Sequence, residues 1–204
     1  MGYIQNAKAH LKTINHHRKL VREGCFRLGL YWQGLTHDLS KYTWPEMRTG
    51  ILYYLEGQSP HNGERRVLGY STAWLHHKGR NKHHAEYWID YTTGPDKHVA
   101  GMKMPVKYLI EMFVDRISAS KNYRKDEYKD TDPLDYYEKR KSYMIVHDDT
   151  RRQLEFLLHM LAQQGEEETF AFIRRNILRN NYKERIQQLL KNNHLEKLYH
   201  SIIK

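Results

Sequence analysis

The chain has 204 residues, of which 39% are apolar, and 16 tyrosines and 4 tryptophans add large amphipathic rings, so one domain with a buried core is expected. Cys25 is the only cysteine, which excludes an intrachain disulfide and the cysteine-rich zinc frameworks. The formal net charge is +10, but basic residues are scattered among acids without a run of five or more, so nucleic acid is not the expected partner.

The chain also lacks the apolar segments that direct proteins to membranes. The first residues contain no signal-peptide core, and no stretch approaches the roughly 18 apolar residues of a membrane span. A single cysteine suits a reducing compartment. We therefore expect a cytoplasmic protein with no membrane partner.

Apolar positions recur at three- and four-residue spacing along most of the chain, and this rhythm predicts an all-α fold. Glycine, proline and polar clusters interrupt the rhythm at Gly24 and Gly79 and over residues 43–45, 57–63, 92–105 and 130–133. The predicted helices cover residues 4–22, 26–39, 45–56, 64–78, 83–90, 105–122, 133–146 and 148–164. Residues 166–204 predict two or three short amphipathic helices, whose apolar stripe packs on the same chain or on a second copy.

Adjacent histidine and aspartate, His37 and Asp38, form the most informative motif of the chain. Neutral imidazole and carboxylate together suit zinc, iron, manganese and similar divalent ions. The separation of twenty residues between His17 and His37 is enough to bring two antiparallel helices together. Asp115 lies in an otherwise apolar helical segment, where a carboxylate is costly unless a metal or charged neighbours hold it. The pattern predicts a metal site.

The order His17, His37-Asp38, Asp115 resembles the signature of the HD-domain superfamily. These proteins are helical metal-dependent phosphohydrolases in which the four side chains hold one ion. The resemblance covers about residues 4–122. It implies an HD-like helical core over residues 1–125 and a C-terminal helical extension over residues 126–204, which packs on the core as an accessory layer or joins two copies in a homodimer.

Two further motifs are similar to the HD-GYP branch of that superfamily. Residues 37–41 read His-Asp-Leu-Ser-Lys, which resembles its His-Asp-x-x-Lys, and residues 76–78 read His-His-Lys, which resembles its His-His-Glu. The match is partial, because Lys78 replaces the glutamate and no Gly-Tyr-Pro follows. The closest resemblance is to an uncharacterised bacterial HD-like family of unknown function.

Binuclear members of the superfamily add histidines between the His-Asp pair and the last aspartate. Two histidine pairs, 76–77 and 83–84, lie in that interval. We favour His77 and His83, with His76 and His84 as close alternatives, because an adjacent pair offers two directions. The resemblance implies one or two divalent transition-metal ions, zinc, manganese or iron. The metal candidates are His17, His37, Asp38, His77, His83, His84 and Asp115.

The remaining acids and histidines receive smaller roles. Glu111 stands one turn before Asp115 and is a candidate partner for an imidazole or for Arg116. His10 is assigned to the surface or to a position behind the ligands. The histidines without an expected site role are His61, His98, His147, His159, His194 and His200.

A metal ion would lower the pKa of its water from about 15.7 towards 7 and so supply a nucleophile. Asp38 and Lys41 are the expected catalytic residues, and Lys41, Lys78, Arg80 and Lys82 are expected to bind a substrate phosphate. The first hypothesis is therefore a phosphohydrolase acting on a nucleotide or another small phosphate ester. Two alternatives stay open: a di-iron oxygenase of the HD type, and a non-catalytic ligand-binding or interaction module with a degenerate HD fold.

Overall fold

The computed structural model describes residues 2–93 and 95–178, and these residues have an all-α fold, as predicted. Within this part of the chain, no helix is both long enough and apolar enough to cross a bilayer. The helices are α1 (Tyr3–Arg27), α2 (Tyr31–Thr36), α3 (Trp44–Leu52), α4 (Pro60–Leu68), α5 (Thr72–Lys78), α6 (Val106–Arg124), α7 (Asp132–Glu138) and α8 (Asp148–Phe172).

Helix α1 packs along α6 and is longer than predicted. The predicted break at Gly24 is wrong, because this glycine lies inside the helix where α1 and α6 approach closely. A Cβ atom at Gly24 would stand 2.7 Å from Cγ1 of Val114. The chain turns only after Arg27, where Gly29 takes a φ of 75° that glycine adopts without strain.

The predicted helix over residues 26–39 is also corrected. Only α2 is regular, and it ends at Thr36, just before the His-Asp pair. Asp38 adopts a left-handed φ of 54° and ψ of 26°, which aspartate tolerates better than most residues. A short 3₁₀ helix, Leu39–Tyr42, follows. The metal motif therefore lies in a turn between two helical segments.

The predicted helix over residues 64–78 is two helices, α4 and α5, because Gly69 ends α4 with a φ of 80°. Glu64 of α4 reaches across this break to the first turn of α5. Its carboxylate accepts hydrogen bonds from Ser71 Oγ at 2.5 Å, from Thr72 Oγ1 at 2.7 Å and from the Ala73 amide at 3.4 Å. The two short helices are thus joined by a buried acid.

Residues 83–90 do not form the predicted helix. A 3₁₀ helix, Ala85–Trp88, leads into strand β1 (Ile89–Tyr91), which pairs antiparallel with β2 (Val99–Gly101). The strands place Ile89 opposite Gly101, and a Cβ at Gly101 would lie 2.5 Å from the amide nitrogen of His147. Close packing of this hairpin on the start of α8 overrides the local sequence preference.

The second half of the fold packs around α6, which follows the prediction for residues 105–122 closely. Helix α7 is shorter than the predicted 133–146 and is followed by a 3₁₀ helix, Lys141–Tyr143. In α8, Gly165 interrupts the regular geometry with φ 81° and ψ 172°, so the predicted end at residue 164 is confirmed. A π-helical segment, Ile173–Leu178, follows.

One hydrophobic core runs from Val21 of α1 through Phe113 of α6 to Leu158 of α8 and Ile173. It draws on both sides of residue 125, while the division into residues 1–125 and 126–204 stays a prediction. Helices α7 and α8 form the layer that packs on α6. The predicted helices beyond residue 178, and the homodimer expected through them, lie outside the described residues.

Candidate metal centre

Asp38 stands at the centre of a buried cluster, and its two carboxylate oxygens face different histidines. Oδ2 lies 3.6 Å from Nε2 of His17 and 3.4 Å from Nε2 of His37. Oδ1 lies 3.3 Å from Nε2 of His77 and 3.4 Å from Nε2 of His83. The Asp38 side chain is only 2% exposed. One carboxylate therefore lies between two potential sets of metal ligands.

The first set combines α1, the His-Asp turn and α6. His17 and His37 place their Nε2 atoms 3.4 Å apart, and Asp115 Oδ1 lies 3.0 Å from the former and 3.6 Å from the latter. Ligands held about 2.1 Å from a tetrahedral ion stand about 3.4 Å from one another. The spacing of these atoms and of Asp38 Oδ2 matches that requirement.

The second set combines Asp38 with three histidines from α5 and the loop after it. One potential ligand atom from each of Asp38, His77, His83 and His84 lies within 4.8 Å of the others. The structure thus turns both members of the 83–84 pair inward, whereas of the 76–77 pair only His77 joins the set. His76 instead directs Nδ1 to a carboxylate oxygen of Glu46, at 2.8 Å.

Three polar atoms of the second set are buried without a hydrogen-bond partner among the described residues: Asp38 Oδ1, His83 Nε2 and His84 Nε2. Buried polar groups are normally satisfied, because an unmade hydrogen bond in the interior is costly. Imidazole nitrogens and a carboxylate oxygen that converge without bonding one another are a suitable donor set for a divalent transition metal. The residues present therefore fit such an ion.

Two glutamates hold the histidines in place from behind. Glu111 Oε1 accepts hydrogen bonds from Nδ1 of His37 at 3.0 Å and from Nδ1 of His83 at 3.1 Å. Glu46 Oε2 accepts one from Nδ1 of His77 at 2.8 Å. These bonds leave Nε2 of each ring facing Asp38, which is the usual arrangement of metal-binding histidines.

Of these two glutamates, the sequence pointed only to Glu111, as a candidate partner for an imidazole. Glu46 was missed, because nothing in its helix distinguishes it from other acids near a helix N-terminus. It is 3% exposed in the structure, and only tertiary packing brings it to His77.

The carboxylates of the cluster are ionised at neutral pH. Burial alone would raise the pKa of Asp38, but the charges of His37 and Lys41 outweigh burial and hold this pKa well below its usual range. Burial would likewise raise the pKa of Asp115, and hydrogen bonds from His17 and His37 lower it well below the usual range. Both acids are therefore available as anionic ligands.

Burial lowers the pKa of His84 well below its usual value, and the neighbouring His83 lowers it further. His84 is therefore the neutral imidazole that metal binding requires. For His37 burial would also lower the pKa, but Asp38 raises it well above the usual value. An ion binding at Nε2 of His37 must therefore displace a proton.

Lys41 pairs with the central aspartate. Its Nζ lies 2.7 Å from Oδ2 of Asp38. Burial would lower the pKa of Lys41, but Asp38 raises it, so the ammonium stays charged. The position of Lys41 in the 3₁₀ helix, three residues after Asp38, makes this contact local.

A cavity of about 150 Å³ opens onto both ligand sets. The metal candidates and the lysine that line it are His17, Asp38, Lys41, His77, His84 and Asp115. The facing residues are His10, Thr13, Tyr54, His61, Asn122 and Tyr123. His61, which the sequence left without a role, is therefore a cavity residue, and burial lowers its pKa to about 3, with His77 contributing. A small molecule can reach the metal candidates.

The structure does not bring the other predicted phosphate-binding cations to this cavity. In the described part of the chain, Lys41 is the only one of the four that lines it. Arg80 is exposed and donates to the backbone oxygen of His76, and Lys82 lies 5.8 Å from the ring centres of Tyr87 and Tyr108. Lys78, at the end of α5, is also outside the lining.

The fold and the cluster define an all-α protein with buried imidazoles and carboxylates gathered around one aspartate. The chain belongs to a family of unknown function (DUF5662), whose family model matches residues 6–160. That range contains every metal candidate and ends within α8. Comparisons with the curated proteins and with the solved structures gave no match.

Proposed function

We propose that this protein is a metal-dependent phosphohydrolase of the HD-domain type that hydrolyses a small phosphate ester. The observation that supports the proposal is the position of Asp38, whose two oxygens face two separate histidine sets in one buried cluster. A carboxylate between two such sets is the arrangement expected of a centre with two ions. The buried lysine beside it adds a fixed positive charge.

In this proposal the first ion is held by His17, His37, Asp38 and Asp115. The second is held by His77, His83 and His84 together with Asp38, which serves both. When bound, divalent ions supply Lewis acidity and lower the pKa of water from about 15.7 towards 7. Zinc, manganese and iron all accept this mixture of imidazole and carboxylate ligands.

The protein's own groups position the reactants. Lys41 donates one of its three N–H bonds to Asp38 and lines the cavity, so the others are free to hold a substrate phosphate oxygen. Glu46 and Glu111 keep the imidazoles oriented. In the hydrolysis, the water oxygen bonds to phosphorus while the ester P–O bond breaks. The departing oxygen takes up a proton, which gives an alcohol and phosphate.

A di-iron oxygenase is the second candidate, and one observation favours it. The only lysine or arginine that lines the cavity, among the described residues, is Lys41, and Asp38 already neutralises it. A site with so little free positive charge is less suited to phosphate than the sequence suggested. Three imidazoles around one carboxylate also suit iron.

The deciding experiment is elemental analysis of untagged protein, followed by assays of the metal-loaded protein. We expect about two equivalents of zinc or manganese and release of phosphate from a panel of phosphomonoesters, with activity reduced at least a hundredfold in Asp38→Ala. The matched control is His98→Ala, which removes an exposed loop histidine and leaves both readouts unchanged. Loaded wild-type protein that leaves the whole panel untouched would overturn the proposal, and two irons with oxygen uptake would support the second candidate.

A further inference from the structure

The cavity wall opposite the metal candidates is polar but uncharged. Helix α1 contributes His10 and Thr13, α6 contributes Asn122 and Tyr123, and Tyr54 follows α3. Thr13 Oγ1 lies 3.3 Å from the Tyr54 hydroxyl, so these two groups form a hydrogen-bonding pair at the cavity surface. The metal candidates do not use this wall.

His10 is the best-defined member of the wall. It is 8% exposed, and its ring lies directly over Gly50, where a Cβ atom would stand 2.0 Å from both Cδ2 and Nε2. The edge of the ring meets Tyr54, with the ring centres 6.2 Å apart. Gly50 and Tyr54 therefore fix the imidazole at the cavity wall.

The Nδ1 atom of His10 is buried and has no hydrogen-bond partner among the described residues. Because unsatisfied buried polar atoms are rare, this nitrogen requires a partner that the protein itself does not supply. Burial lowers the pKa of His10 to about 4, and the charge of Lys41 acts in the same direction. The ring is therefore an uncharged hydrogen-bonding group at neutral pH.

The position of His10 sets the reach of a bound ligand. His10 and His17 are seven residues apart on α1, which corresponds to about 10 Å along the helix. The cavity volume of about 150 Å³ equals that of an engineered cavity that holds one benzene ring. A ligand with one end at the metal candidates thus presents to His10 a group of about one six-membered ring.

The charges of the cavity limit what this group can be. The lining residues in the described part of the chain include one lysine and no arginine, and that lysine is paired with Asp38. A second phosphate or a carboxylate at the His10 end would therefore be buried without a counter-charge, which is costly. Hydroxyl groups, in contrast, match the imidazole, phenol, threonine and carboxamide groups of the wall.

We propose that this wall binds the organic part of the substrate, that this part is an uncharged, hydroxyl-bearing group no larger than about a monosaccharide, and that His10 determines this specificity. The substrate class is therefore a sugar-phosphate-like monoester. The inference rests on the proposed function for the phosphate end of the substrate and adds the recognition of the other end.

The test is calorimetric titration of zinc-loaded protein with three phosphonates that resist hydrolysis. These probes are methylphosphonate, the methylene phosphonate analogue of ribose 5-phosphate, and 3-carboxypropylphosphonate, which has a charged arm. We expect the ribose analogue to bind at least tenfold more tightly than methylphosphonate, and the carboxylate probe to bind no more tightly. An equal affinity for all three, or the tightest binding for the carboxylate probe, would overturn the inference.

Variants then assign the preference to His10. His10→Ala should reduce the tenfold preference to less than threefold while the zinc content and the affinity for methylphosphonate stay unchanged. His10→Gln keeps a donor and an acceptor and should retain at least a threefold preference. The control His98→Ala, in an exposed loop, should keep the full preference. A full preference in His10→Ala would show that another residue recognises the organic group and would overturn the role of His10.

This binding test does not depend on turnover, so the two proposals fail separately. Tenfold preference for the ribose analogue without hydrolysis of any phosphomonoester would support the inference and contradict the proposed function. Hydrolysis of phosphomonoesters without any preference among the three phosphonates would contradict the inference alone.

Discussion

At the scale of single residues, the backbone of Asp38 explains how neighbouring side chains meet at one site. Successive residues of a helix point about 100° apart, so a helical His-Asp pair would diverge. The left-handed conformation of Asp38 ends the regular geometry and turns its carboxylate toward the ring of His37, with Oδ2 and Nε2 3.4 Å apart. The amide of Lys41 bonds back to the Asp38 carbonyl at 3.0 Å, which stabilises this turn.

Removal of single ligands should separate the two ions. Asp38→Ala should lose both equivalents of metal because Asp38 contributes to both ligand sets, whereas Asp115→Ala should lose only one, because Asp115 contacts His17 and His37 alone among the metal candidates. Elemental analysis of the dialysed variants measures this directly. Loss of both ions in Asp115→Ala would contradict two separable sites.

Glu46 should control metal affinity without being a ligand. Glu46→Gln weakens the acceptor that orients His77, and such changes behind a metal ligand typically reduce affinity about 10- to 100-fold. Competition with a chromogenic zinc chelator measures the effect on the weaker site. Glu64→Gln is the matched control, since Glu64 is equally buried but bonds to Ser71 and Thr72 instead. Equal affinities for Glu46→Gln and wild type would contradict the role of Glu46.

At the scale of elements, two close contacts define the arrangement of helices around the site. Helix α1 approaches α6 at Gly24, and this crossing sets the relative positions of His17 and Asp115. Helix α4 is tied to α5 through Glu64, which sets the orientation of the helix that carries His77. Both contacts can be tested without touching a metal candidate.

Gly24→Ala should destabilise the fold by about 1–3 kcal/mol, the usual cost of overpacking a core. The new methyl group would meet Val114, a buried β-branched side chain that has little freedom to move. Urea unfolding followed by circular dichroism measures the free energy of unfolding. The control Glu23→Ala, at an exposed neighbouring position, should change it by no more than about 0.5 kcal/mol. An unchanged or higher stability of Gly24→Ala would show that the helices can separate freely.

Glu64 should make a pH-dependent contribution to stability. Burial alone would raise its pKa, but hydrogen bonds from Ser71 and Thr72 outweigh burial and lower it. A lowered pKa in the folded state stabilises the protein above the unfolded value of about 4.3, and this stability is lost as the pH falls through the folded pKa.

Glu64→Gln should therefore lower the free energy of unfolding by about 1–2 kcal/mol at pH 7, as expected for hydrogen bonds to a charged group. The difference between variant and wild type should shrink as the pH falls below about 4.3. Urea unfolding at pH 7, 5 and 3.5 provides the comparison. A difference that stays constant over this range would mean that the charge of Glu64 contributes nothing.

At the scale of the whole molecule, the metal candidates connect distant parts of the chain. His17 lies on α1, His37 in the turn after α2, His77 on α5, His83 in the following loop and Asp115 on α6. An ion bound only by the folded chain stabilises that chain by mass action, by about 2.7 kcal/mol at a concentration 100 times Kd. Metal binding and global stability should therefore change together.

Cys25 offers a measure of that coupling. It is completely buried, and burial raises the pKa of its thiol, with the charges of Glu111 and Asp115 acting in the same direction. We expect alkylation to be slow in metal-loaded protein and to accelerate when a chelator removes the metal, together with a lower thermal midpoint. Mass spectrometry follows the alkylation. Asp38→Ala is the control, since the chelator should leave its alkylation rate and midpoint unchanged.

The sequence by itself determined the helical class and the longest helices. Long apolar periodicity fixes which face of a helix is buried, so the predictions for residues 105–122 and 148–164 lie close to the structure. Short segments followed the pattern less well, because contacts from elsewhere outweigh local preference. The close packing of Gly101 on His147 at residues 83–90, and the left-handed turn at Asp38 within residues 26–39, are examples.

The sequence also provided the metal candidates, since the His-Asp pair and the spaced histidines are chemically unusual. Only the tertiary structure decided how they divide into two sets, that both His83 and His84 face Asp38, and that His76 instead bonds to Glu46. These choices depend on Glu46 and Glu111, which lie 31 and 74 residues from His77 and His37 respectively. Residue type sets what a side chain can bind, whereas contacts between segments far apart in the chain set the direction in which it points.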